Sequence, residues 1–223
     1  MQYNLEPMSA IKILYGDRTD GFTKNDFQVN ETERGIVLPF LLKDFLARYA
    51  YMPINRQGDS VRFFHPNLMT VMRFTAEKAS LSLLIVGRVG EYQVAVKNEV
   101  SEDPRIYLIL LGTQNETQIL PSDDTISEIL KVMLCGILLK NDSTVIADDP
   151  QLAVRLLREN GVDLYQINNN PELRREYSLC FSEETRTFTV AEYIEGSVTR
   201  FFFVTNEEFK SPSLDAAKGL IEP

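Results

Sequence analysis

The segment that decides the fold is residues 33–51, which read ERGIVLPFLLKDFLARYAY. Gly35 lacks a Cβ and can take the positive φ that ends a helix. Pro39 has a φ suited to the first turn of the next helix. Apolar residues then recur at i, i+3, i+4 and i+7 and form one helix face: Leu42, Phe45, Leu46 and Tyr49. The segment predicts a helix end, an apolar strap at 36–38 and a second helix, without a reactive group.

The bulk composition is that of a soluble globular chain. With 223 residues, 44% of them hydrophobic, the sequence can bury a full core. It has no apolar run near the ~18–20 residues that span a bilayer, and its first residues do not resemble a signal peptide. Cys135 and Cys180 lie in apolar segments without a CxxC partner, which favours buried thiols. We expect a cytoplasmic protein without a membrane segment.

A strand-rich middle follows the N-terminal helices. The helices are predicted around 10–14, over 23–34 and from Pro39 onward. Strands are predicted at Val61–Phe64, Leu68–Met72, Leu81–Val86, Tyr92–Val96 and Ile106–Leu111. The connection Gly87–Gly90 joins Leu81–Val86 to Tyr92–Val96 and favours a hairpin. Leu81–Val86 and Ile106–Leu111 are continuously apolar, which is typical of central strands.

Two more helices and a meander are predicted after the sheet. One helix follows Pro121, capped by Ser122 or Asp124, and a second begins at Asp148-Asp149-Pro150, packs Leu152, Leu156 and Leu157, and ends at Asn160-Gly161. An antiparallel meander follows at 177–181, 187–191 and 198–204, where Phe201, Phe202 and Phe203 require cover. The elements thus predict helices before and after a strand-rich, antiparallel or mixed central sheet. Residues 1–141 form the core, and 142–223 form an extension packed on it as one compact unit.

The net charge of −9 is concentrated in the last third of the chain. Residues 1–141 carry 17 acidic and 15 basic side chains, whereas 142–223 carry 15 acidic and 8 basic. One interpretation is simple solvation of the surface. The other is a field that attracts a basic partner and repels the phosphates of nucleic acid.

The residue types do not predict catalysis. His65 is the only histidine, which excludes a multi-histidine zinc site, and it precedes a proline in a predicted turn. Cys135 lies on the apolar face of a helix, where burial raises thiol pKa. The acidic pairs lack the spacing of a calcium loop, and the common nucleotide-binding and hydrolase motifs are missing. We expect no cofactor, no metal and no catalytic residue.

Several segments resemble the SUKH superfamily, whose namesake members include a yeast regulator of cell-wall synthesis. Residues 33–39 with 42–49 resemble its opening E-x-x-x-G-x-x-L-P signature. Residues 90–96 resemble its central hairpin strand, and 102–107 (EDPRIY) resemble its acidic-Asp-Pro-x-Val-Tyr step. The helix from Thr125 resembles its Leu-rich helix after the sheet. The resemblance covers about residues 22–140, and the family's frequent tryptophan is missing here.

The resemblance implies an α+β fold and a protein that binds another protein. Bacterial members are mostly interpreted as immunity proteins, which neutralise toxin domains of polymorphic or contact-dependent systems. Such toxins tend to be basic, and an acidic partner would meet them with electrostatic steering. The resemblance thus implies a non-catalytic immunity protein that occludes a basic toxin domain.

Acidic side chains around the sheet and in the C-terminal third are the candidate contact residues: Glu102, Asp103, Glu183, Glu184, Glu192 and Glu195. Two other functions stay open at this stage. One is a small-molecule sensor or enzyme with a pocket between sheet and helices. The other is a regulatory scaffold for cellular proteins.

Overall fold

A computed structural model of the chain describes residues 5–55, 61–76, 79–111, 117–140, 144–159, 176–182, 186–194 and 197–205. Five α-helices lie within these ranges: α1 (Pro7–Tyr15), α2 (Lys24–Arg34), α3 (Phe40–Tyr49), α4 (Ile126–Leu139) and α5 (Pro150–Glu159). The strands are β1 (Arg62–Phe63), β2 (Thr70–Ala76), β3 (Ala79–Val89), β4 (Tyr92–Lys97), β5 (Arg105–Leu111), β6 (Thr117–Thr125), β7 (Thr144–Ile146), β8 (Glu176–Ser182), β9 (Thr187–Ile194) and β10 (Ser197–Thr205).

The strands form two antiparallel sheets, which confirms the predicted α+β class. The described residues fall into two compact units. The first unit comprises those within 17–133, and the second comprises those within 5–16 and 134–205. The division falls inside α4 and differs from the boundary expected at 141. In particular, α1 belongs with the C-terminal sheet, and the Leu5 amide donates to the Leu179 carbonyl of β8 at 3.1 Å.

The first unit contains a six-stranded sheet in which β3, β4 and β5 are interior. Its order is β1-β3-β4-β5-β6, and β2 pairs with β3 beyond the end of β1. The β3–β4 hairpin turns at Gly90, whose φ of 54° lies in the left-handed region. Four fully covered residues form a cluster on one face of this sheet: Leu83, Ile85, Ala95 and Ile109. The predicted central strands are thus confirmed.

The helix predicted from Pro121 begins later, and the predicted caps are wrong. Residues Thr117–Thr125 form strand β6, in which Pro121 pairs with Tyr107 of β5. The strand lies at an edge of the sheet, where a proline without an N–H does not break the ladder. Ser122 donates to Asp124 within the strand, and α4 starts only at Ile126.

The two helices around the strap begin and end as the sequence indicates. Thr23 and Asp26 form a capping box at the start of α2. Gly35 ends α2 with φ 63°. Pro39 lies immediately before α3 rather than in its first turn. The predicted apolar face of α3 is buried: Leu42, Phe45, Leu46 and Tyr49. Phe45 packs edge-on against Phe63 of β1, with ring centroids 5.7 Å apart.

The second unit contains the predicted meander with one additional strand. Its order is β7-β10-β9-β8. The three-residue strand β7 was not predicted, although its residues, Thr144, Val145 and Ile146, are β-branched and favour a strand. β10 lies between β7 and β9. Phe201 and Phe202, which point to opposite faces, are buried, Phe201 against Cys180, Ala191 and Tyr193, whereas Phe203 is exposed.

Helix α5 begins as the sequence predicts but packs a different residue. The Asp149 carboxylate accepts from the Leu152 amide at 2.9 Å and caps the helix. Leu152, predicted to pack, is exposed, and Ala153 packs against the sheet instead. The side chains of Leu156 and Leu157, and the predicted end at Asn160-Gly161, lie outside the described residues. Among the helices of the described ranges, none has the length and hydropathy to cross a membrane.

Candidate functional site

The connection between β4 and β5, residues 98–104, organises the first unit and contains two of the predicted contact residues. Here it is called the hub loop. It touches the apolar strap, the start of α3 and the start of α4. The strap and the start of α3 therefore dock on residues 98–102.

Asn98 holds the strap with both ends of its side-chain amide. Its Oδ1 accepts from the Val37 amide at 2.8 Å, and its Nδ2 donates to the Gly35 carbonyl at 3.0 Å. The amide side chain thereby reproduces one pair of backbone ladder bonds. Ile36 and Leu38 on either side of Val37 are buried. The strap is a structural element rather than a reactive one.

The hub loop also supplies acceptors for the first amides of α3. Phe40 donates to the Ser101 carbonyl at 3.1 Å, and Leu41 donates to the Glu102 carbonyl at 3.2 Å. Pro39 lacks the side-chain acceptor that normally satisfies such amides. Main-chain oxygens of the hub loop replace that cap, and they fix Phe40 next to residues 100–102.

Asp103 caps α4 from outside the helix. Its Oδ1 accepts from the Ser127 amide at 2.9 Å, and its Oδ2 accepts from the Thr125 hydroxyl at 2.8 Å. A carboxylate at this end also interacts favourably with the helix dipole. Asp103 is exposed, yet both of its oxygens have structural partners. The sequence predicts Asp103 as a contact residue and places the cap of this helix at Ser122 or Asp124 instead.

Arg34, at the end of α2 just before the strap, also has a structural role. Its guanidinium donates to the carbonyls of Asn67 at 2.8 Å and Met69 at 2.6 Å. It also donates to the buried side chain of Asn30, which in turn donates to Asn67. Arg34 therefore holds the 3₁₀ turn at Pro66–Leu68 against α2.

Exposed apolar and acidic side chains lie together beside the hub loop. Phe40 is 62% exposed and Val100 is 76% exposed, and the Phe40–Ser101 hydrogen bond places them side by side. Glu99 and Glu102 flank Val100, are exposed, and have no side-chain partner within the described part of the chain. We call Phe40, Glu99, Val100 and Glu102 the loop patch. The sequence marked Glu102, whereas Glu99, Phe40 and Val100 were missed.

Glu192 does not lie on an acidic surface. It is 3% exposed within β9 of the second unit, and its Oε2 lies 3.6 Å from Arg200 Nε. The strand pattern contains the signal for this, because alternation places Glu192 on the same face as Phe188 and Val190, which are both buried. Glu183, Glu184 and Glu195 lie outside the described residues. The structure thus joins Glu102 and Asp103 in one loop and places Glu192 in the other unit.

The described residues contain no group of three or more His, Cys, Asp or Glu side chains arranged to hold a metal ion. Cys135 and Cys180 are buried thiols, as predicted. His65 accepts from the Asn67 amide through Nδ1 at 3.1 Å and packs on Phe22. His65 therefore lies in a structural turn.

No protein-family model, no curated protein and no solved structure matches the chain.

Proposed function

We propose that the chain is a non-catalytic protein-binding module: a SUKH-type bacterial immunity protein that binds and occludes a basic toxin domain in the cytoplasm. The carrying observation is the loop patch, in which two exposed apolar side chains lie beside two carboxylates that have no side-chain partner among the described residues. The resemblance of residues 22–140 supplies the class of partner. The net charge of −9 supports association with a basic one.

The chemistry of the loop patch suits recognition of a basic protein surface. Binding energy at interfaces is concentrated in a few residues, and aromatic side chains are prominent among them. Phe40 can fill an apolar recess of the partner, and Glu99 and Glu102 can pair with lysine or arginine at its rim. Because the hub loop is tied to the strap and to two helices, these side chains are presented on a fixed backbone.

The direct test measures binding to the cognate toxin domain, which an immunity function predicts in a neighbouring reading frame. We expect Phe40→Ala to weaken binding about 30-fold, the factor that corresponds to a hot-spot loss of about 2 kcal/mol. Leu111→Ala is the matched control. Leu111 is also an exposed apolar residue, but it lies at the opposite end of β5, roughly 20 Å along the strand from the hub loop.

The electrostatic part of the proposal has its own readout. Glu102→Gln should lower the association rate and flatten its dependence on salt, since exposed rim charges act mainly through steering. Glu91→Gln removes an equally exposed carboxylate from the hairpin turn at the far end of β4. A complex in which Phe40→Ala behaves as Leu111→Ala would contradict the loop patch. Failure of the wild-type chain to bind that domain would contradict the immunity function itself.

A further inference from the structure

A second charged feature lies on the six-stranded sheet, at the end of β4 away from the hub loop. Arg62 of β1 pairs in register with Arg88 of β3, which pairs in turn with Gln93 of β4. Register partners in antiparallel strands point to the same face, with Cα atoms about 4.5–5.5 Å apart. Two arginine side chains therefore project from neighbouring positions on one face of the sheet.

Local geometry enforces this closeness. A Cβ on Gly87 would lie 2.5 Å from the Arg62 carbonyl oxygen, so only glycine permits the approach of β1 to β3 at this point. Like charges directly opposite each other destabilise a sheet. Both arginines are exposed, and within the described ranges neither guanidinium has a hydrogen-bond or ion-pair partner. Among the described residues, no carboxylate compensates these two opposed cations, although the chain has a net charge of −9.

The neighbouring residues add a polar and an apolar element. The side-chain oxygen of Gln93 is buried and lacks a hydrogen-bond partner among the described residues. Phe64 lies two residues beyond Arg62 on the same strand side and is half-buried against the sheet cluster. Because the Gln93 oxygen is an acceptor, it does not contribute to anion binding. The surface around Arg62 and Arg88 therefore offers guanidinium donors with an apolar border at Phe64.

We propose that Arg62 and Arg88 form a binding site for a phosphate dianion, either free or as a small phosphomonoester. A guanidinium fork binds two oxygens of an oxyanion. A carboxylate has two oxygens and one charge, so a single fork saturates it. A phosphate dianion has three acceptor oxygens and two charges, which match two forks. Binding relieves the repulsion between the arginines. The site is separate from the loop patch and independent of the protein partner.

The test is calorimetric titration of the full chain in a phosphate-free buffer of constant ionic strength. Inorganic phosphate and phenyl phosphate are the two probes, and acetate is the carboxylate comparison. We expect both phosphates to bind more tightly than acetate, with tighter binding of phenyl phosphate if the ligand is an ester that uses Phe64. Arg62→Gln or Arg88→Gln should weaken phosphate binding about tenfold or more. Arg73→Gln is the matched control, since Arg73 is exposed on β2 and points to the opposite face.

A second readout does not depend on the ligand. Without phosphate, Arg88→Gln should raise Tm by about 1–2 °C because it removes the like-charge pair, whereas Arg73→Gln should not. Equal phosphate affinity in wild type, Arg88→Gln and Arg73→Gln would overturn the site. A wild-type chain that shows no phosphate binding, or that binds acetate as tightly, would overturn the assignment of the ligand.

Discussion

Replacing Asp103 by alanine tests whether its exposed carboxylate stabilises the fold by capping α4. The variant removes two hydrogen-bond acceptors, those of the Ser127 amide and the Thr125 hydroxyl. Loss of a helix cap typically costs about 1–2 kcal/mol, and loss of the favourable charge at the helix start adds about 0.3–1 kcal/mol. We expect Asp103→Ala to lower the free energy of unfolding by about 2 kcal/mol. For a chain of this size the corresponding decrease in Tm is about 4–8 °C.

The matched control is Glu102→Ala, one residue earlier in the same exposed loop. The Glu102 side chain has no partner within the described residues, and only its carbonyl caps α3. Its substitution should therefore change Tm by less than about 1 °C. Asp103→Asn should lie between, since an amide oxygen can still accept from Ser127 but lacks the charge. Urea titration followed by circular dichroism measures all three variants. Equal stability of Asp103→Ala and Glu102→Ala would refute the assignment of Asp103 as the cap of α4.

Three further variants test other contacts of the first unit. Gly21→Ala should destabilise the chain by at least about 1–3 kcal/mol in urea titration, because the added Cβ would lie 2.3 Å from the Leu46 carbonyl oxygen; a neutral effect would contradict that close approach. Asn98→Ala should cost about 2 kcal/mol, since it removes two hydrogen bonds to the strap, and hydrogen exchange at the amides of 36–38 should accelerate with it. The pKa of Asp26 is lowered, first by the hydrogen bond from the Thr23 side chain, so its contribution to stability is present above the unfolded pKa of about 3.9 and is lost as pH falls through the lower folded pKa. The stability difference between wild type and Asp26→Asn should therefore shrink when the urea midpoint is measured at pH 3 instead of pH 7, and a constant difference would contradict the capping box.

Local signals predicted the elements whose causes are local. Gly35 ends α2 and Asp149 caps α5 because the preferences for αL glycine and for N-cap carboxylates act within one turn. The Val-Gly-Glu-Tyr sequence around Gly90 turns the hairpin for the same reason. The fold class follows, since it depends only on which segments are helices and which are strands.

Elements whose conformation depends on contacts with residues far away in the sequence were missed. The sequence around Pro121 carries a helix-start pattern, but its pairing with β5 makes it a strand, and no local preference encodes that ladder. The strand β7 was missed for another reason: its three residues favour a strand, but so short a run is identified only by its pairing with β10. In the candidate site, Glu102 was recognisable as an exposed acid. The neighbourhood of Phe40 and Val100 was not, because residues 60 positions apart meet only through the hub loop.

The hydrogen bonds between Asn98 and the strap constrain the order in which the first unit folds during synthesis. The hydrogen bonds of Asn98 to Val37 and Gly35 span 61 and 63 residues. At a synthesis rate of about 5–20 residues per second, Asn98 is made roughly 3–13 s after Gly35. During that interval the strap and the first amides of α3 have no acceptors from residues 98–102. We therefore expect α3 to dock on the nascent chain only after β3 and β4 have emerged, although α3 itself is made before both strands.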